Sequence, residues 1–169
     1  MIAELIGFDP TLARDTLRIL ARQVGTLDAI SNGLWSAYDN TVFRATVEGN
    51  DIQIRPGTND PALDRVLEAR GVSTWAYITA WNPGSHELSR QENDVRHERL
   101  KNDVVSFGLE SFEGMGEPDD PKWQPERSLL VLGLHEREAL NIGRRYGQNA
   151  IVVGETGRDA KLLRCDTDF

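Results

Sequence analysis

The order of secondary-structure elements in the second half of the chain constrains its fold most strongly. From Ser73 onward, the spacing of apolar residues predicts strand, helix, strand, strand, helix and strand. The predicted elements are residues 73–81, 89–107, 109–113, 128–134, 136–146 and 150–155. This is the order of a ferredoxin-like split βαβ core, whose strands form one antiparallel sheet. We therefore predict an α+β fold with a ferredoxin-like core over residues 73–155.

The residues before this core predict a helical and β-hairpin extension. Asp9-Pro10 begins an amphipathic helix with proline in its first turn, and Gly25 ends it. Further predicted elements are a helical stretch at 26–38, strands at 41–47 and 51–55 joined at Gly49-Asn50, a helix at 61–70 and a last strand at 161–165. We divide the chain into an N-terminal helical extension, 1–38, and a single α+β domain, 39–169.

The strand predicted at 128–134 is apolar on both faces, so both sides of the sheet need cover. The two helices of the split βαβ order lie on one face only. We therefore expect the N-terminal helices or the hairpin to pack against the other face.

Polar residues interrupt the apolar stripe of the helix predicted at 89–107. The stripe consists of Leu100, Val104 and Phe107. At the same spacing toward the N-terminus stand Arg96, Asn93 and Ser89. Ser89 and Glu92 have the sequence pattern of a capping box, which places the helix start at Ser89.

The start of this helix is suited to an anion. A helix N-terminus presents unpaired N–H groups and a partial positive charge, and Arg96 would add a fork of donors. This combination suits a carboxylate or a phosphate. Alternatively, Asn93 and Arg96 satisfy buried backbone carbonyls or a structural carboxylate.

The predicted topology brings scattered polar residues to one edge of the sheet, where the first strand ends and its helix begins. We predict that seven residues at this edge bind a ligand: Asn82, Ser85, Ser89, Asn93, Arg96, Glu126 and Gln148. Trp81 and Trp123 are expected to form apolar walls. Glu126 is the candidate acid or base, because it is the one carboxylate predicted at this edge next to an arginine. The alternative is a cluster of loop residues that satisfy one another without a ligand.

Charge and composition argue against several classes of protein. The net charge is −8 and the isoelectric point is near 4.9, which disfavours binding to nucleic acid or to anionic membranes and is compatible with a basic protein partner. No apolar run is long enough to span a bilayer, and the N-terminus lacks the basic start of a signal peptide, so we expect a cytoplasmic protein. The single Cys165 excludes an intramolecular disulfide or a thiolate metal cluster within the chain.

The histidines do not predict a metal site. His86, His97 and His135 lack the spacing of a helical metal-binding motif, so we expect no metal, and no motif indicates a cofactor. His97, next to Arg96, is expected to be solvated. No nucleophile elbow is present.

Several segments of the sequence resemble a known protein family. They are Ala80-Trp81-Asn82-Pro83, the spaced Ser89, Asn93 and Arg96, Glu126-Arg127-Ser128-Leu129-Leu130-Val131, and Tyr146-Gly147-Gln148-Asn149-Ala150. Together they resemble small bacterial proteins of domain-of-unknown-function family 3293, over the stretch from Tyr38 to Glu155. The resemblance implies no activity, but it supports the choice of site residues.

These observations predict a small cytoplasmic protein that binds a small anionic ligand at a polar edge of its sheet. The alternative is an acidic protein-interaction or inhibitor protein without catalytic activity. The sequence leaves open whether the ligand undergoes a reaction.

Overall fold

Seven antiparallel strands form a single sheet within residues 32–165, the part of the chain that a computed structural model describes. The strands are β1 (Thr41–Val47), β2 (Asn50–Ile54), β3 (Thr74–Thr79), β4 (Ser111–Pro118), β5 (Glu126–Leu132), β6 (Ala150–Glu155) and β7 (Lys161–Arg164). Besides helical residues at 32–39 and a short 3-10 helix at Pro83–Ser85, the helices are α1 (Pro61–Arg70), α2 (Arg90–Ser106) and α3 (Glu136–Arg145). The strand order is β2-β1-β4-β5-β3-β6-β7. Helices combined with an antiparallel sheet confirm the α+β class.

The chain divides into two units between Ser36 and Ala37. In the first unit, residues 32–36 are helical, in agreement with the helical stretch predicted at 26–38. The helix predicted from Asp9-Pro10 lies outside the described residues. All elements described below belong to the second unit.

The predicted hairpin joins the sheet instead of packing on its face. Val47 pairs with Asn50, so Glu48 and Gly49 form a two-residue turn with φ values of 51° and 81°. Both positive φ values suit a turn that matches the twist of the strands. Pairing of β1 with β4 also explains why β4 continues to Pro118, five residues beyond its predicted end at Glu113.

Each face of the sheet carries its own apolar core. One face, here called the α2–α3 face, carries Ala76 and Ile78 and is covered in part by α2 and α3. The opposite face, the α1 face, carries Trp75 and Tyr77 and packs on α1. Both faces of β5 are therefore buried, as its apolar sequence predicted. The cover on the second face comes from α1, which was not among the elements we expected there.

The buried side of α2 differs from the predicted stripe. Asn93, His97, Leu100 and Val104 are buried, whereas Phe107 is 52% exposed. The prediction for Phe107 was wrong because α2 ends at Ser106, and Phe107 lies beyond the last helical turn. The expectation that His97 is solvated was also wrong, since its side chain is fully buried.

Candidate functional site

Two loops at one edge of the sheet pack closely together. The loop after β3 contains Pro83 and Gly84, and the loop after α3 contains Gly147. The N–H of Gly84 donates to the carbonyl of Gly147 at 2.7 Å. A Cβ at Gly147 would lie 3.0 Å from Pro83 and would need φ of +69°, so glycine suits this close approach. This contact joins two of the sequence motifs noted above.

A pair of asparagines holds the loop after β3 against α2. The N–H of Asn82 donates to Asn93 Oδ1 at 2.9 Å, and Asn93 Nδ2 donates to Asn82 Oδ1 at 2.8 Å. Asn82 Oδ1 also accepts from the N–H of Leu88 at 3.0 Å. Asn93 is 2% exposed, so its hydrogen-bonding groups are used within the protein. Asn93 therefore fixes the path of the loop.

Arg96 connects the end of β3 to the end of α3. Its Nε donates to the carbonyl of Ala80 at 2.7 Å, and one terminal nitrogen donates to the carbonyl of Tyr146. The guanidinium also lies 5.9 Å from the centroid of the Tyr146 ring. The second terminal nitrogen has no hydrogen-bond partner among the described residues. A cation beside the last carbonyls of a helix is stabilised by the helix dipole.

Gln148 and Ser85 belong to the same pair of loops. Gln148 Nε2 donates to the carbonyl of Trp81 at 2.9 Å. Asn149 Nδ2 donates to Ser85 Oγ at 2.9 Å, and this oxygen also lies 3.1 Å from the hydroxyl of Tyr38. Hydrogen bonds of the two loops thus bring both predicted residues to this edge.

Ser89 begins α2 with the capping box that the sequence predicted. Its Oγ accepts from the N–H of Glu92 at 3.3 Å, and the Glu92 carboxylate accepts from the N–H of Ser89 at 3.0 Å. The hydroxyl and then the backbone N–H of Ser89 lower the pKa of Glu92. This carboxylate therefore takes up part of the anion-stabilising capacity of the helix N-terminus.

Glu126 is a partly buried carboxyl whose only hydrogen-bond partner within residues 32–165 is uncharged. One of its oxygens accepts from Asn82 Nδ2 at 2.7 Å, and it forms no ion pair with any described residue. Burial raises the pKa of Glu126 and outweighs the hydrogen bond from Asn82, which lowers it. Arg127 is not its partner, because successive residues of a strand point to opposite faces. Arg127 instead contacts Asp94 at 3.0 Å.

The loop after β3 contains backbone conformations that L-residues rarely adopt. Asn82 has φ of 42° and Ser85 has φ of 60°. Asparagine tolerates this region, whereas serine is strained there. Such strain occurs preferentially at functional sites, where the surrounding contacts maintain it.

Sequence reasoning missed two buried donors or acceptors near the predicted residues. Trp81 Nε1 and His97 Nδ1 are buried without a hydrogen-bond partner among the described residues. His97 Nε2 lies 2.8 Å from a carboxylate oxygen of Glu113. The position of His97, three residues before Leu100, was the signal that it belongs to the buried stripe. The predicted wall residue Trp123 is 37% exposed.

Glu113 is the centre of a charged cluster on the α2–α3 face. Its carboxylate lies 2.9 Å from Lys101 Nζ and 3.3 Å from Arg127. Partial burial acts to raise the pKa of Glu113, but hydrogen bonds from Lys101 and His97 outweigh it and lower the pKa to about 2. Glu113 is therefore ionised throughout the physiological pH range.

A cavity of about 530 Å³ opens next to this cluster. None of its lining residues is among the seven predicted to bind a ligand.

Within residues 32–165, no group of three or more His, Cys, Asp or Glu is arranged to hold a metal ion. Helices in the same part of the chain are too short or too polar to cross a membrane.

The fold and the site define an α+β protein with a hydrogen-bonded polar edge. A family model described as a protein of unknown function (DUF3293) matches residues 78–151. This match supports the resemblance noted above, and the matched segment contains all seven predicted ligand-binding residues. Comparison with curated proteins found no match, and neither did comparison with solved structures.

Proposed function

We propose that this chain binds a small ligand with an anionic group at the polar edge, and that Glu126 donates a hydrogen bond to it as a protonated carboxyl. The observation that carries the proposal is the environment of Glu126. Its carboxyl is partly buried, has a raised pKa and has no cation beside it within residues 32–165. Such a carboxyl is more easily protonated than an exposed one, and a protonated carboxyl donates to an anion.

Two further donors lie in the segments that form the polar edge. Trp81 follows β3 by two residues, and the next residue, Asn82, donates to the Glu126 carboxyl. The indole N–H of Trp81 has no acceptor among the described residues, so it is a donor that a ligand can satisfy after a small movement. One terminal nitrogen of Arg96, which has no hydrogen-bond partner within residues 32–165, is another donor in these segments.

Backbone strain in the adjoining loop also supports the proposal. Asn82 and Ser85 have left-handed conformations within four residues of each other. Asn82 links this strained loop directly to the Glu126 carboxyl. A loop of this kind holds its polar groups in one arrangement, which reduces the entropy lost when a ligand binds.

We also infer a ferredoxin-like core within residues 73–155 and a cytoplasmic location. The order β6-β3-β5-β4 in the middle of the sheet supports the first inference, since it is the strand order of a split βαβ core. A single cysteine in the sequence and an acidic net charge are compatible with the second inference.

A thermal-shift screen of the full chain against organic acids tests the proposal. These acids are ionised at both about pH 5.5 and about pH 7.5, so the pH dependence reports on the protein. Because the pKa of Glu126 is raised, its protonated form is lost as the pH rises through that pKa. The stabilisation of the protein by the ligand should therefore be larger at the lower pH. A ligand at about a hundred times its dissociation constant adds roughly 2.7 kcal/mol of stability.

Two variants make the test specific for Glu126. Glu126→Gln retains a donor group, so it should keep the stabilisation and lose its pH dependence. Glu138→Gln, at an exposed position of α3, should keep both. If the ligand stabilises Glu126→Gln with the same pH dependence as the unsubstituted protein, Glu126 does not bind the ligand.

The second candidate function is that of an acidic interaction or inhibitor protein, which the net charge of −8 favours. If the protein has this second function, no organic acid in the screen should stabilise it. Binding to a basic protein should then weaken steeply with salt, because exposed charges are screened.

A further inference from the structure

The cavity of about 530 Å³ lies on the part of the α2–α3 face where β2 and β1 adjoin β4. Its volume falls within the range of small-molecule sites, roughly 300–1,000 Å³. The lining side chains that carry the argument are Arg44, Thr46, Asp51, Gln53, Met115 and Arg127.

Strand register arranges the first row of these side chains. Arg44 on β1 pairs with Gln53 on one side and Met115 on the other, and Met115 pairs in turn with Arg127. Paired residues point to the same face of a sheet, and neighbouring strands are about 4.8 Å apart. The two arginines therefore stand roughly 10 Å apart with a methionine between them.

The adjacent row is acidic. Thr46 pairs with Asp51, and the register of Ala45 with Gly114 places Thr46 opposite Glu113. Successive residues on one face of a strand are about 7 Å apart. A row with positive side chains thus borders a row with negative ones inside a single cavity.

Arg44 presents the free donors of the positive row. Glu117 accepts from its Nε at 2.7 Å, which orients the guanidinium. Neither terminal nitrogen of Arg44 has a hydrogen-bond partner among the described residues. Two adjacent nitrogens of a guanidinium match the two oxygens of a carboxylate. Arg127 is less available, since it already contacts Asp94 and Glu113.

Asp51 presents the free acceptor of the acidic row. Its carboxylate accepts one long hydrogen bond, 3.4 Å, from the hydroxyl of Thr46. It forms no ion pair within the described part of the chain. Glu113 is already engaged by His97, Lys101 and Arg127, so Asp51 is the acid that a ligand can reach.

We propose that this cavity binds a small zwitterion of the amino acid or short peptide class. The ligand carboxylate pairs with the terminal nitrogens of Arg44, and its ammonium group pairs with Asp51. Met115, whose flexible side chain adapts to different shapes, contacts the apolar part of the ligand. This site shares no residue with the polar edge, so it is independent of the function proposed above.

Titration of the isotope-labelled full chain with L-alanyl-L-alanine, followed by backbone amide chemical shifts, tests this proposal. We expect saturable shifts in residues 44–46, 51–53 and 113–115. Propionate and ethylamine, which each carry one of the two charges, should bind at least about tenfold more weakly.

Substitutions separate the contributions of the two charges. Arg44→Gln and Asp51→Asn should each weaken binding of the dipeptide by about tenfold or more. Both side chains are exposed, so neither change should alter thermal unfolding appreciably. Arg158→Gln is the control: the Arg158 side chain makes an exposed ion pair with Glu155, away from the cavity lining, so this change should leave binding unchanged. Absence of saturable shifts, or equally tight binding of propionate, would overturn the proposal, as would full affinity in Asp51→Asn.

Discussion

Replacing Arg96 with lysine tests whether its guanidinium holds the end of β3 to the end of α3. Arg96 donates to the carbonyl of Ala80 at 2.7 Å and to the carbonyl of Tyr146. Ala80 is fully buried and Tyr146 is 4% exposed, so water has little access to compensate for a lost donor. A lysine keeps the charge but is a single point donor, so it cannot reproduce the planar fork that reaches both carbonyls.

The expected loss of stability follows from these two contacts. A hydrogen bond that involves a charged group contributes about 1.5–3 kcal/mol. Arg96→Lys loses one of the two bonds, so we expect the free energy of unfolding to fall by about 2 kcal/mol. Arg96→Met loses both, and its loss should be roughly 3–6 kcal/mol.

Urea unfolding followed by circular dichroism measures these differences. Arg99→Lys is the matched control, because Arg99 is exposed on the same helix and its side chain makes no hydrogen bond within residues 32–165. The free energy of unfolding of Arg99→Lys should differ from that of the unsubstituted protein by no more than about 0.5 kcal/mol. If Arg96→Lys is as mild as this control, the two hydrogen bonds do not stabilise the fold and the structural role of Arg96 is refuted.

The same variant also bears on the proposed function. If Arg96 contacts the ligand as well as the two carbonyls, Arg96→Lys should reduce the thermal shift that the ligand produces by more than it reduces the stability of the free protein. An equal loss of melting temperature with and without ligand would exclude Arg96 from ligand binding.

Other predictions concern the two cores and the charged cluster. Leu100→Ala should cost about 2–5 kcal/mol in urea unfolding, because Leu100 is fully buried, whereas Val105→Ala at a position 64% exposed should cost about 0.5 kcal/mol or less. Gly114→Ala should destabilise by about 1–3 kcal/mol, since its Cβ would lie 1.9 Å from the Tyr77 hydroxyl. Tyr77→Phe should remove part of that cost in the double variant, and purely additive losses would contradict the clash. The pKa of Glu113 is lowered to about 2 from 4.5, so its contribution to stability is present above about pH 4.5 and lost as pH falls toward 2. Glu113→Gln should therefore show a shallower loss of stability over that interval, and an unchanged acid unfolding curve would contradict this.

The local elements could be predicted from the sequence because short-range chemistry specifies them. Helix α1 begins after Asp60, whose carboxylate accepts from the N–H groups of Ala62 and Leu63, and it ends at Gly71 with φ of 66°. These signals act within a few residues, so the bounds Pro61–Arg70 agree with the prediction. The capping box at Ser89 was predictable for the same reason.

The partners of the polar residues depend on how distant segments pack, and local patterns do not contain that information. Asn82 and Glu126 are 44 positions apart in the chain, and Arg96 and Tyr146 are 50 apart. The sequence indicated that these residues gather at one edge, because the element order restricts which loops meet. It offered two roles for Arg96, binding an anion or donating to backbone carbonyls, and only the structure showed the carbonyl contacts, since these depend on strand register and loop geometry. The cavity on the α2–α3 face arises in the same way, because the pairing of β1 with β4 creates a surface that neither strand predicts alone.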